Sequence, residues 1–317
     1  MNHTVIDRLL KSEEPSIRWK MRVNVLGEDA TSRKIKKLQK EIRSSPRVKA
    51  LLAHRDETGR FTGTNNVYAK WQGTHWLLAT LADIGYPGGD KLLMPYREKI
   101  LNYWLCDFFY QEFEATSKKD AYSGDGVPLM HGRYRRCASQ QGNTLWFLTK
   151  LGLANERSGK LVERLLHWQW PDGGWNCDKN PAADTSSFME SMLPMRGLAL
   201  HARVNDDAAA KKAALKASEV FLSRKLFKRR ANGAVMHPEF LKLHYPLYWH
   251  YDILGGLKVM AEMDLLGDPR CTEALDLLEK KTLKGGGWPA ESRYYKVSNK
   301  AVLNADFVDW AEQAKRR

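Results

Sequence analysis

Eight helical segments, alternating in kind and separated by short glycine-bearing turns, constrain this chain more than any other feature. Four are apolar nearly all round: VYAKWQGTHWLLATLADIG, ASQQGNTLWFLTKLGL, SSFMESMLPMRGLALHARV and YWHYDILGGLKVMAEMDLL. Each precedes an amphipathic partner: LLMPYREKILNYWLC, GKLVERLLHWQW, AKKAALKASEVFLSRKLF and CTEALDLLEKKTL. In the second partner, Leu161, Leu165 and Trp168 stand at i, i+4 and i+7, a single stripe. A striped helix needs a neighbour on one side, whereas one apolar all round needs burial on both. No segment alternates with the period of a strand. The expected fold is therefore all-α: a two-layer α/α toroid, with apolar helices as inner ring and striped helices as outer ring. A single hairpin of this kind cannot bury its own face, so the stack must be continuous.

The turns repeat as well. Gly173-Gly174-Trp175 returns as Gly286-Gly287-Trp288, and RRANGAV between them keeps Gly233 without a tryptophan. One unit departs from the pattern through a long insertion at about 107–135, with turn signals from Ser123 to Gly126. Ordered insertions of that length commonly form lids or rims. Residues 61–317 are expected to make the toroid. Residues 1–60 read as shorter helices, broken at Pro15 and near Pro46, that pack on the ring or complete it.

Gln169, Gly173 and Trp175 reproduce the spacing Q-x3-G-x-W. With the hairpin repeat over roughly 66–300, this resembles the superfamily of squalene-hopene cyclases, oxidosqualene cyclases and protein prenyltransferase β subunits. The resemblance implies a clasp, in which the glutamine amide bonds the exposed backbone of the next helix end. That chemistry suits helix termini, whose last groups lack intrahelical partners. In the second copy Thr282 replaces the glutamine. The resemblance also implies a central cavity for a hydrophobic or isoprenoid-type ligand. The D-x-D-D acid motif of squalene-type cyclases is missing, as is the D-D-x-x-D magnesium motif; Asp206-Asp207 reads as a helix cap. Prenyltransferases hold zinc with an aspartate, a cysteine two residues later and a distant histidine. Here Cys177 and Asp178 are adjacent and reversed, so no metal ligand set and no cofactor is assigned, although Cys177, Asp178 and His244 or His250 remain the place to look for zinc.

Aligning the four apolar helices on Leu78, Leu145, Leu198 and Leu257 brings their first turns to one mouth. That layer holds Trp71, His75, Gln140, Asn143, Glu190 and the stretch HYPLYWHYD. Polar groups on apolar helices need partners or a wet cavity. His244, His250, Tyr251, Asp252 and Glu190 are the candidate acid–base groups. Trp71, His75, Gln140 and Asp178 are candidate ligand contacts, with Arg133 and Arg136 able to grip a carboxylate or diphosphate. Trp288, Glu291 and Tyr294 repeat the theme after the second turn, where Glu291 aligns with Asp178.

The net charge is +14, yet the lysines and arginines spread along helices, which gives a weak hint of an anionic partner and no strong signal for nucleic acid. No run approaches the ~18 apolar residues of a membrane span, and peripheral membrane contact stays open. Four scattered cysteines without short spacings suit reduced thiols and a cytoplasmic protein. Three functional classes follow: a cyclase- or transferase-like enzyme acting on a hydrophobic or isoprenoid-type ligand, a lyase or hydrolase on an acidic polysaccharide, and a non-catalytic binding scaffold.

Overall fold

The computed structural model describes residues 3–53, 66–69 and 73–293, and within them the chain is predominantly helical. The N-terminal helices are α1 (His3–Leu10), α2 (Pro15–Lys20), α3 (Arg33–Ser44) and α4 (Pro46–Leu52). Both prolines act as expected. Pro15 and Pro46 begin their helices, capped by Glu14 on Ser16 N (3.2 Å) and by Ser45 on Val48 N (3.3 Å). Proline at the first position loses only an N–H that would be orphaned anyway.

Next come α5 (Thr74–Asp83), α6 (Met94–Trp104), α7 (Asp107–Tyr110) and α8 (Lys118–Ser123), then α9 (Ala138–Lys150) and α10 (Glu156–His167). The chain continues through α11 (Phe188–Asn205), α12 (Ala208–Leu222), α13 (Ile253–Glu262) and α14 (Thr272–Lys280). The apolar segments become α5, α9, α11 and α13, and the amphipathic partners become α6, α10, α12 and α14. Successive apolar helices pack side by side, α5 on α9, α9 on α11 and α11 on α13, each with its partner alongside. The two ends of this row also meet: Lys258 on α13 pairs with Asp83 on α5 (3.0 Å), and Tyr248 stands edge-on to Trp76 with ring centroids 5.4 Å apart.

Small residues allow the central crossing of α9 and α11. A Cβ on Gly142 would lie 2.3 Å from Pro194 Cα, and one on Gly197 would lie 2.4 Å from the Gly142 carbonyl oxygen. Pro194 has no N–H to orphan inside α11, so its backbone can lie against α9 there. The hydrophobic core divides around α9. Trp146, Phe147 and Leu148 join Trp19, Ile35 and Ile42 of the N-terminal helices, whereas Leu145 joins the core of α10–α14. The N-terminal helices thus share one core with α5 and α6.

The reading without strands needs one correction. The insertion carries a three-stranded sheet, β1 (Glu112–Glu114), β2 (Val127–Met130) and β3 (Arg133–Tyr134). β1 pairs parallel with β2 (Glu112 opposite Val127), and β2 pairs antiparallel with β3 (Met130 opposite Arg133). Strands of two to four residues are too short to show alternation. The β2–β3 turn is His131-Gly132, both at positive φ (49° and 69°), the two-residue turn whose twist suits a hairpin. Among the described residues no helix is long and apolar enough to cross a membrane.

Candidate functional site

The Trp168–Trp175 stretch is a clasp. Each of its three indole N–H groups is used: Trp168 donates to Glu112 Oε1 (2.8 Å), Trp170 to the Tyr134 carbonyl (2.7 Å) and Trp175 to the Leu165 carbonyl (3.0 Å). Two hold the insertion and one holds the turn on its own helix. Gln169 Nε2 donates to Gly173 O (2.7 Å) and to Ala213 O on α12, the next amphipathic helix (2.9 Å). The second copy repeats the local half. Trp288 donates to the Leu278 carbonyl, also ten residues upstream (2.8 Å), and Leu283 N bonds Gly287 O (3.0 Å) as Trp170 N bonds Gly174 O (2.8 Å).

Just past the first clasp lies a cluster that no single motif contains. The chain leaving β3 runs beside the chain leaving the clasp, with Arg135 bridged to Asn176 and Arg136 N on Asn176 O (3.1 Å). This brings Cys137, at the entrance of α9, against Cys177. Glu190 joins them from the first turn of α11, whose start is capped by Ser187. The two sulfurs and a Glu190 oxygen all lie within 4.8 Å of one another. Cys177 Sγ is 3.5 Å from Glu190 Oε1, and Glu190 Oε2 accepts the Ser139 N–H (3.1 Å), one of the free donors in the first turn of α9.

The electrostatics follow from burial. Glu190 is 7% exposed, and desolvation pushes its carboxyl above the ordinary range despite the Ser139 and Cys177 contacts. The shared hydrogen bond between the thiols, added to burial beside Glu190, holds the Cys177 proton on. The same bond draws the Cys137 thiol down. Arg136, also 7% exposed, supplies the balancing positive charge, and burial lowers its pKa only to about 10. Its guanidinium lies 4.9 Å from the Phe109 ring centroid and 5.6 Å from that of Trp168. With the Gln141 amide turned so that its oxygen faces the guanidinium, that oxygen accepts from Arg136 Nε (3.1 Å). Arg135 is buried beside it over Trp170 (4.6 Å). Its Nη1 donates to Ala183 O (2.8 Å), while its Nε and Nη2 find no acceptor among the described residues.

The comparisons with known proteins return nothing: no family model, no curated protein and no solved structure matches this chain.

The first turns of the apolar helices collect part of the expected layer. Gln140 bonds the Tyr68 hydroxyl, and Tyr68 packs on Trp76, which meets Tyr248. His75 is 1% exposed. Its Nδ1 accepts from Trp104 Nε1 (3.3 Å), its Nε2 stands 3.1 Å from the Asn143 amide, and burial drives its pKa down to about 3. It is a neutral core histidine. His250 stacks on Trp249, with centroids 3.9 Å apart.

Other candidates are engaged in holding the fold. Asp252 caps α13 through Gly255 N (2.7 Å) and accepts from His244 N (2.8 Å), with His244 Nδ1 at 3.2 Å; His244 Nε2 lies 3.3 Å from Glu239. Tyr251 is fully buried among Phe188, Phe221 and Phe240, and its hydroxyl donates to Leu226 O (2.7 Å). Asp178 is exposed and turns the chain by accepting from Asn180 N (2.9 Å). Glu291 accepts from Leu243 N (2.8 Å) and pairs with Lys281 (2.7 Å), so despite its alignment with Asp178 it fastens a different loop. Trp288 is 50% exposed, and Arg133 bonds the His131 carbonyl (3.2 Å). Trp71 and Tyr294 lie outside the described residues. Sequence reasoning missed Cys137, 40 positions before Cys177, because no local spacing signals that pair.

Proposed function

We propose that this chain is an α/α-toroid enzyme of the terpenoid-cyclase and prenyltransferase type, acting on a hydrophobic, isoprenoid-type ligand by acid–base chemistry with Glu190 as the acid. The toroid reading is supported by the row α5, α9, α11, α13, whose ends meet at Asp83–Lys258, and by the outer partner beside each helix. One observation carries the acid: Glu190 is a buried carboxyl that favours its protonated form, yet it has a backbone N–H, a thiol and a nearby buried guanidinium to stabilise the carboxylate left behind. Burial keeps the proton on this carboxyl near neutral pH and away from competing water, and the donors around it stabilise the carboxylate that transfer to an alkene would leave. The aromatic rings of Tyr68, Trp76 and Tyr248 at the same mouth suit a carbocation by their π faces. The test is incubation of the full chain with linear isoprenoid alkenes and diphosphates. The expected product is an isomer or cyclised form that Glu190→Gln fails to make; turnover unchanged in that variant removes Glu190 from the chemistry.

The donor set favours a second reading. Two thiols and a carboxylate with atoms within 4.8 Å fit a tetrahedral zinc, in which neighbouring sulfur and oxygen ligands stand about 3.5 Å apart. Cys137, Cys177 and Glu190 would hold the ion, which would supply Lewis acidity and a thiolate or water of lowered pKa. Asp178 and His244, the sequence-level candidates, are committed elsewhere. The buried Arg136 beside the cluster opposes a cation and favours the acid reading. Elemental analysis decides between them: stoichiometric zinc that Cys177→Ser abolishes would replace the acid by the metal.

A further inference from the structure

The inner helices have a second meeting place. Thirteen residues of α9 separate the Cys137 entrance from Lys150 at the far end, about 20 Å at helical rise. There a cavity of about 500 Å³ opens between α2, α5, α9, α11 and α13, within the usual size range of small-molecule sites.

Its lining is divided in kind. Trp19, Trp146, Ala199, Leu200 and Met263 form apolar wall. Lys20, Lys150, Arg196, Arg203 and Lys258 face only three carboxylates, those of Asp83, Glu262 and Asp264. The pairing among them is uneven. Asp83 serves both Lys20 (2.7 Å) and Lys258 (3.0 Å). Glu262 takes Arg196 in two bonds (2.6 and 2.7 Å), and that guanidinium also covers the Trp146 ring at 3.7 Å. Arg203 reaches only the Glu262 backbone carbonyl (3.3 Å). Lys150 has no carboxylate partner among the described residues and lies 5.8 Å from the Trp19 ring centroid. Trp19 is 5% exposed, and its Nε1 has no acceptor among the described residues.

Two cations without carboxylates border one cavity with an apolar wall. We infer that this cavity binds a small amphiphilic anion, its carboxylate or phosphate group taken by Lys150 and Arg203 and its apolar body lying against Trp19, Trp146 and Leu200. A charged group gains most where the cations it meets are not already neutralised, and an apolar tail gains by leaving water. The site stands apart from Glu190, and the inference does not rest on the acid reading.

Calorimetric titration of the full chain with octanoate, 1-octanol and inorganic phosphate tests this. Octanoate is expected to bind about tenfold or more tightly than either the neutral alcohol or the tailless anion. The Lys150→Met/Arg203→Met double variant is expected to lose about tenfold, while Lys150→Arg retains binding because it keeps the charge. Octanol binding as tightly as octanoate, phosphate binding as tightly as octanoate, no binding of octanoate, or binding unchanged in the double variant would each overturn the proposal. The comparison of the three probes needs only the unaltered protein, so a variant that fails to fold does not blunt the test.

Discussion

Cys177 Sγ stands 3.5 Å from Glu190 Oε1, and the two residues arrive there from opposite sides of one hydrogen-bonded junction. Ser187 N bonds Trp175 O (2.9 Å) and Ser191 Oγ accepts Trp175 N (2.9 Å), so the clasp fixes the start of α11 and thereby the carboxyl. The structural clasp and the candidate acid are therefore one construction.

Burial raises the Glu190 pKa, which sets the sign of a pH effect. The folded state holds this proton more firmly than the unfolded chain does. The associated stability is fully present below the ordinary value of 4.5 and is lost as pH rises through the folded value. Glu190→Gln removes this dependence, so its stability relative to the unaltered protein should grow as pH rises above 4.5 towards the folded value. Urea unfolding of both proteins across that range checks it, and parallel curves would count against a buried, protonated carboxyl.

Asp252 is 1% exposed and accepts from two backbone N–H groups and approaches His244. Asp252→Ala should cost about 3–5 kcal/mol, because it removes a helix cap and strands buried donors. Asp252→Asn, which keeps acceptor oxygen at the cap, should cost clearly less. A loss below about 1 kcal/mol in the alanine variant would mean that this network is not holding the fold.

Two glycines should respond oppositely to the same change. Gly142→Ala drives a Cβ into the backbone of Pro194 and should destabilise by about 3 kcal/mol. Gly159, within α10, has nothing within 4 Å of its would-be Cβ, so Gly159→Ala should stabilise by about 0.5–1 kcal/mol. Thermal melts of the two variants settle it, and equal effects would deny the close crossing of α9 and α11.

Gln169 ties the clasp to α12. Gln169→Ala removes both bonds and with them the side-chain link between the clasp and α12, for an expected loss of about 1–3 kcal/mol. The corresponding change at Thr282 should cost about 0.5 kcal/mol or less, as an ordinary surface substitution does. Denaturant midpoints compare the two positions directly, and equal losses would refute the linking role.

Residues 167–178 show what local pattern can and cannot convey. The spacing of Gln169, Gly173 and Trp175 announced a turn with a side-chain amide free to reach a neighbouring helix; the turn forms, but the amide meets Ala213 O within α12 and not a helix end. Asp207 likewise caps α12, accepting from Ala209 N (2.9 Å) and Ala210 N (3.0 Å), as its position before an apolar run implies. HYPLYWHYD, by contrast, looked like the richest chemistry in the chain. His244, Tyr251 and Asp252 instead spend their polar atoms on backbone groups and on one another, because a loop entering a buried helix must satisfy its own donors. The sequence shows which residues are polar but not which backbone groups they will have to serve.

Helical periodicity, the alternation of all-apolar and striped segments, and the glycine turns were determined by the sequence alone, since each depends on residues within a few positions of one another. Cys137 beside Cys177, Glu190 on the free N–H groups of α9, and the uneven charges around Lys150 and Arg203 were decided only by tertiary structure. Each joins residues tens of positions apart, and their distances depend on how closely α9 and α11 approach. That approach rests on Gly142, Pro194 and Gly197, whose small or N–H-free backbones carry no chemical signal of the cluster they assemble.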